Sequence, residues 1–231
     1  MAGVSVMVSF SLAGQATTIF STSLIMVLSA ILAYFMTTNY LTKRSLSMAF
    51  WSIGLWLFTV GVLEEIVFAA GIYSSILIKV YLAIVAILVQ FLAMGSLELG
   101  GSKRIRTAYY VYSLAVFVFL VVSLAVSSIG NIISSYVVFG PLPFLVILSS
   151  SLITFPAAII LLITAAMTYR KTRSNKMLSI IAGVIIVSVA GTLYIAKFPA
   201  FLYLAEFIGI LLLWMGFFDW KHWSRARVSE A

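Results

Sequence analysis

The chain has no cysteine, a single histidine and few charges, with 9% of its 231 residues being Asp, Glu, Lys or Arg. Without cysteine there are no disulfides, thiolate metal sites or cysteine nucleophiles, and the redox compartment stays open. The lone histidine, His222, lies beyond the last apolar stretch. Haem ligation by histidine pairs, zinc sites and Ser-His-Asp catalysis within the apolar region are therefore not expected. No phosphate-binding glycine loop, Gly-x-Ser-x-Gly elbow or Asn-x-Ser/Thr sequon occurs. These absences predict a protein that is not an enzyme, with no catalytic residue, no metal site and no cofactor.

What fills the chain instead is apolar: 64% of residues are hydrophobic, a composition outside the range of soluble domains. A membrane-spanning helix needs about 20 apolar residues, so seven spans and short loops occupy residues 1–231 as one membrane domain. The spans are expected at about 17–38, 48–70, 75–97, 107–128, 145–169, 177–196 and 200–218. Gly71-Ile72-Tyr73 turns between the second and third, Gly100-Gly101 closes the third, and Phe198-Pro199 separates the last two. The longest connection, residues 129–144, carries Gly130, Asn131, Gly140, Pro141 and Pro143 and reads as a loop. Pro156 is expected to kink the fifth span, because proline removes one backbone hydrogen bond and clashes with the preceding turn.

The formal charge of +8 finds its explanation in topology. With seven spans, 12 of the 14 basic residues fall on one side, including Lys43, Arg44, Lys103, Arg104, Arg106, Arg170, Lys171, Arg173 and Lys176, and only Lys79 and Lys197 fall opposite. An even number of spans scrambles that asymmetry. Lys and Arg concentrate in cytoplasmic loops, so the N-terminus is predicted outside and the C-terminus in the cytoplasm of a multi-pass cell-membrane protein. Tyr40, Tyr109, Tyr110, Tyr169, Trp220 and Trp223 sit beside the same basic loops, where amphipathic rings suit lipid headgroups. The N-terminal segment lacks a basic region ahead of a short apolar core, so the first span is expected to be retained. The expected partners are the bilayer, anionic lipid headgroups drawn to the basic loops, and a cytoplasmic or membrane protein; nucleic acid is not expected.

Ionisable residues inside the apolar stretches are the candidates for function, since an unpaired charge at mid-helix costs roughly 2.5 to 3.5 kcal/mol. Glu64, Glu65, Lys79, Lys197 and Glu206 all map toward the outer ends of their spans. Three carboxylates and two ammonium groups nearly balance, and the expectation is an ion-pair or ligand-binding cluster joining spans two, three, six and seven. The plainer alternative has Lys79 and Lys197 snorkelling to the outer headgroups while the glutamates reach interfacial water. Glu64 and Glu65 are adjacent, about 100° apart on a helix, so at most one is expected to point squarely inward. Ser21, Thr22, Ser23, Ser149, Ser150, Ser151 and Thr154 either line a path or, more simply, bond to their own helix backbones.

Internal similarity bears on architecture. Tyr81-Leu82-Ala83 precedes Met94-Gly95 at nearly the interval at which Tyr203-Leu204-Ala205 precedes Met215-Gly216, and Gly61-Val62-Leu63 and Gly191-Thr192-Leu193 hold comparable places in spans two and six. An all-α seven-helix bundle built as a 3+1+3 parallel repeat accounts for this, and so does shared membrane composition.

The seven-span layout resembles microbial rhodopsins, but the last span holds no lysine and Lys197 precedes it, which argues against a retinal pigment. It also resembles the SWEET and PQ-loop transporters, without the Pro-Gln dipeptide of the latter. Residues 41–100 carry a basic loop, then Ser-Met-Ala-Phe-Trp-Ser-Ile-Gly-Leu-Trp-Leu-Phe and an acidic pair. That stretch is similar to the seven-helix sensor-type modules found at the N-terminus of some histidine kinases and to related archaeal and bacterial membrane proteins of unknown function. About a dozen residues follow the last span, and no kinase or cyclase domain is expected. The resemblance implies a receptor-like or accessory module whose output is delegated to a partner. A small transporter or ion-conducting protein, and a structural subunit of a membrane complex, are the alternatives.

Overall fold

A computed structural model describes residues 2–130, 132–134, 137–138, 140–173, 176, 178–180, 182–183, 186 and 199–217. The elements are α1 (Ala2–Lys43), α2 (Leu46–Ala69), α3 (Ser75–Gly100), α4 (Lys103–Val126), β1 (Ile133–Ser134), β2 (Val137–Val138), α5 (Phe144–Thr172) and α6 (Pro199–Phe217). Among the described residues, five helices are long and apolar enough to cross a membrane, and Leu204–Gly216 adds a shorter apolar helix. The chain is a helical, multi-pass membrane protein. The sixth expected span lies mostly outside the described residues; those within it, 178–180, 182–183 and 186, are helical.

Two features refine the sequence expectations. The first helix begins at Ala2, well before the expected span, and its stretch Thr18–Lys43 is long and apolar enough to cross a bilayer. Within the expected loop 129–144, Ile133 pairs with Val138 and Ser134 with Val137 in a short antiparallel ladder, a detail added to an otherwise helical fold. The foot of this link is anchored by apolar burial. Ile129 and Ile132 are buried with Phe68, Ile78 and Tyr81, which ties the start of this link to the ends of α2 and α3.

Helix ends follow local chemistry. Ser74 and Ser102 sit at the starts of α3 and α4, and their hydroxyls accept from the backbone N–H of Leu77 and Ile105 at 3.1 and 3.4 Å. Gly71 turns the chain after α2 with φ of +86°, which favours glycine. The tight turn makes α2 and α3 an antiparallel hairpin, in which residues equidistant from Tyr73 face one another. Trp51 thus meets Gly95, and Glu65 meets Tyr81. Gly95 permits the helices to touch: a Cβ there stands 2.9 Å from the Ser47 carbonyl oxygen, and the Ser47 hydroxyl donates to the Gly95 carbonyl at 2.6 Å.

Around this hairpin, α1 packs on α2, α5 packs on α3 and α4, and α6 packs on α1. One apolar cluster joins Leu32, Met36, Trp51, Leu55, Leu97, Tyr109, Leu161 and Leu213, so the basic ends of α1 and α5 and the basic start of α4 gather at one end of the bundle. A second, at the other end, joins Phe68, Ile78, Tyr81, Leu120, Leu124 and Val146 with the foot of the hairpin loop. A third is small: Ile25 and Val62 with Met26, Phe58, Ala205 and Phe207, from α1, α2 and α6. Large side chains such as Phe20, Ile31, Val60, Val118 and Phe155 point outward, as a lipid-facing surface requires.

Pro156 lies within an unbroken α5. Its missing N–H leaves the Leu152 carbonyl without its partner along the helix, and the Tyr112 hydroxyl of α4 donates to that oxygen at 2.6 Å. Four of these serines and threonines take the plainer of the two readings: Ser21 and Thr22 bond to Thr18, Ser149 to Val146 and Ser150 to Ile147, each through a backbone carbonyl.

Candidate functional site

Glu64 and Glu65 stand about one turn before the end of α2, where the third cluster (Val62) meets the second (Phe68, Tyr81). Both are shielded from the surface, at 8% and 5% exposure. The physical reason is the packing of α2, which is covered by α1 on one flank and α3 on another, so its buried arc is wide enough for two adjacent side chains. Glu65 Oε1 accepts a hydrogen bond from the Tyr81 hydroxyl at 2.7 Å. The Tyr81 ring is fixed edge-on to Phe68, with centroids 5.5 Å apart.

Glu206 reaches the same region from α6. Its neighbours Ala205 and Phe207 pack with Ile25 and Val62, and its carboxyl lies within coulombic range of Glu65. Glu65 in turn lies within coulombic range of Glu64. The Oε2 atoms of Glu64, Glu65 and Glu206 are all buried and have no hydrogen-bond partner among the described residues. These three carboxyls sit between apolar clusters, where a polar group gains no compensation from water.

Lys79 does not join them. It is half-buried and makes no ion pair with Glu64, Glu65 or Glu206. It lies two positions before Tyr81, about 200° around α3, so when Tyr81 faces α2 the lysine faces away. Lys197 lies outside the described residues. The described part of the expected cluster is thus acidic, and the ion pairing through Lys79 is corrected. Tyr81 was missed as a site residue. Its signal was available in the turn spacing, since it lies as far after Tyr73 as Glu65 lies before it. No grouping of three or more His, Cys, Asp or Glu side chains able to hold a metal ion occurs among the described residues.

The basic residues gather at the far end. Lys43, Arg44, Lys103, Arg104, Arg170, Lys171 and Arg173 are exposed, and Lys176 is half-buried. Arg106 differs, because its guanidinium pairs with Glu98 at the end of α3, and the Tyr110 hydroxyl donates to the second oxygen of that carboxylate. That triad fastens the α3–α4 turn.

Two pairs of hydroxyls bridge α1 and α2 between the basic end and the carboxyls, one half-buried and one buried. Thr37 and Ser52 hydroxyls lie 2.6 Å apart, Trp56 Nε1 donates to Thr37 at 3.0 Å, and Thr59 donates to Ser29 at 3.0 Å. No protein-family model, curated protein or solved structure matches the chain.

Proposed function

We propose that this chain is a receptor-like or accessory seven-span module of the cell membrane, with its N-terminus outside and its C-terminus in the cytoplasm. Its input is the acidic site of Glu64, Glu65 and Glu206, and its output is read by a cytoplasmic or membrane partner at the basic ends of the helices. One observation carries the reading: three buried carboxyl oxygens on two helices with no hydrogen-bond partner among the described residues. A site so arranged is completed by a proton or a small cationic group. Gaining or losing that charge changes how α6 sits against α1 and α2, which is the two-state element that a switch needs.

The cysteine-free chain makes the test direct. A single cysteine placed at Ser102 reports the basic end through its rate of modification by a water-soluble maleimide. In proteoliposomes, changing pH between about 5 and 8 or adding an organic ammonium salt is expected to change that rate several-fold. Glu64→Gln, Glu65→Gln and Glu206→Gln together abolish the response. A rate indifferent to both treatments in the unaltered protein, or a response that survives the triple substitution, refutes the proposal.

The hydroxyl seam favours a second reading, a small ion-conducting protein in which Ser52, Thr37, Ser29 and Thr59 mark a route between the acidic site and the basic end. Dye-monitored proton or cation flux in proteoliposomes separates the two, since only this reading requires net transport.

A further inference from the structure

Independently of the acidic site, the end of α5 carries a feature of different chemistry. Tyr169, Arg170 and Arg173 line a cavity of about 190 Å³. Neither guanidinium has a hydrogen-bond or ion-pair partner among the described residues, unlike Arg106, whose charge is taken up by Glu98. Arg173 stands in the left-handed region with φ of +50°, a conformation that costs a non-glycine residue on the order of 1 kcal/mol. It closes the helix by donating its own N–H to the Tyr169 carbonyl at 2.8 Å, and this bend swings its side chain to the cavity beside Tyr169.

Below the cavity, toward the membrane interior, Phe155, Ile159, Ile163 and Met167 follow one another at four-residue intervals on α5, and all are exposed. The file leads to Arg170, which follows Met167 by one turn. A charged recess at the mouth of an apolar track matches the two halves of a phospholipid. Arginine forks suit phosphate oxygens, a tyrosine hydroxyl adds a donor at the headgroup level, and acyl chains lie along the track.

We infer that the recess formed by Tyr169, Arg170 and Arg173 at the end of α5 is a binding site for the phosphate headgroup of one anionic phospholipid, whose acyl chains lie along Phe155, Ile159, Ile163 and Met167. This is a defined site, distinct from the diffuse attraction that any basic loop exerts on a negative bilayer.

The test uses the full chain in bilayer discs of phosphatidylcholine containing a minor fraction of phosphatidylglycerol, with tightly held lipid counted by native mass spectrometry. One phosphatidylglycerol is expected to be retained in preference to phosphatidylcholine. Arg170→Gln with Arg173→Gln lowers its retention on the order of tenfold, while Lys43→Gln with Arg44→Gln, removing the same charge from another basic end, leaves it within about twofold. Arg170→Lys with Arg173→Lys keeps the charge and the fold but loses the forks, and is expected to retain less lipid than the unaltered chain. Equal losses from both glutamine pairs, or no preference for phosphatidylglycerol, overturn the site. A large excess of inorganic phosphate is expected to leave the lipid bound because it cannot occupy the track; displacement by phosphate overturns the lipid assignment in favour of a free-anion site.

Discussion

Tyr112 and Leu152 illustrate how single groups are satisfied in this chain. In hydrocarbon no water replaces a lost backbone partner, so the carbonyl freed by Pro156 depends on the Tyr112 hydroxyl. Tyr112→Phe is expected to destabilise the fold by about 1 kcal/mol, read from the unfolding midpoint in mixed detergent micelles. In a Pro156→Ala background the same substitution costs less, because residue 156 again supplies an N–H; an undiminished cost removes this account. Glu64 presents the opposite situation, a buried carboxyl with an oxygen left without a partner. Glu64→Gln removes the charge and keeps the shape, and it is expected to raise stability by about 1 kcal/mol at alkaline pH in the same assay. A fall in stability instead shows that the carboxylate has a partner beyond the described residues. Single residues were partly legible in advance: Glu64, Glu65 and Glu206 stood out as charges in apolar surroundings. Tyr81 did not, because a tyrosine in a membrane helix is unremarkable until the fold sets a carboxylate opposite it.

Helix pairing depends on register. The α2–α3 hairpin places Gly95 where Trp51 and Ser47 press closest. Gly95→Leu is expected to force the two helices apart and to cost on the order of 2 to 4 kcal/mol, measured as lost folded protein on size-exclusion chromatography and a lower thermal midpoint. Gly100→Ala, at a position with open space around it, serves as the control and is expected to change little. Span positions were readable from the sequence because hydrophobic length alone fixes them, and the expected third span, 75–97, falls within α3. The two-residue ladder in the link 129–144 was not foreseen, since turn formers mark where a chain bends and say nothing of which short stretches pair across the bend. Lys79 was misplaced for a related reason: depth in the membrane follows from counting residues, whereas direction around a helix depends on which flank its neighbours cover.

Across the whole molecule, charge sorting and packing point to one arrangement of ends. The third and fifth inter-span connections of the sequence reading carry Lys103 and Lys171, and the apolar cluster shared by Leu97, Tyr109 and Leu161 draws the corresponding helix ends together. Cysteines placed singly at Lys103 and Lys171 are therefore expected to react with a membrane-impermeant thiol reagent from the same side of the bilayer, the cytoplasmic side in intact cells. Labelling from opposite faces contradicts the seven-span topology. At this scale the candidate site extends beyond anything composition reveals, for it needs α6 brought onto α1 and α2, a long-range packing that no local pattern encodes.

The small ladder between α4 and α5 has one more bearing. Ile129 and Ile132 plug the end of the bundle beside Phe68 and Tyr81 with side chains that water does not wet. A polar solute approaching the carboxyls from that side is expected to meet this apolar cover before it meets an oxygen, so replacing Ile132 with serine is expected to quicken its arrival.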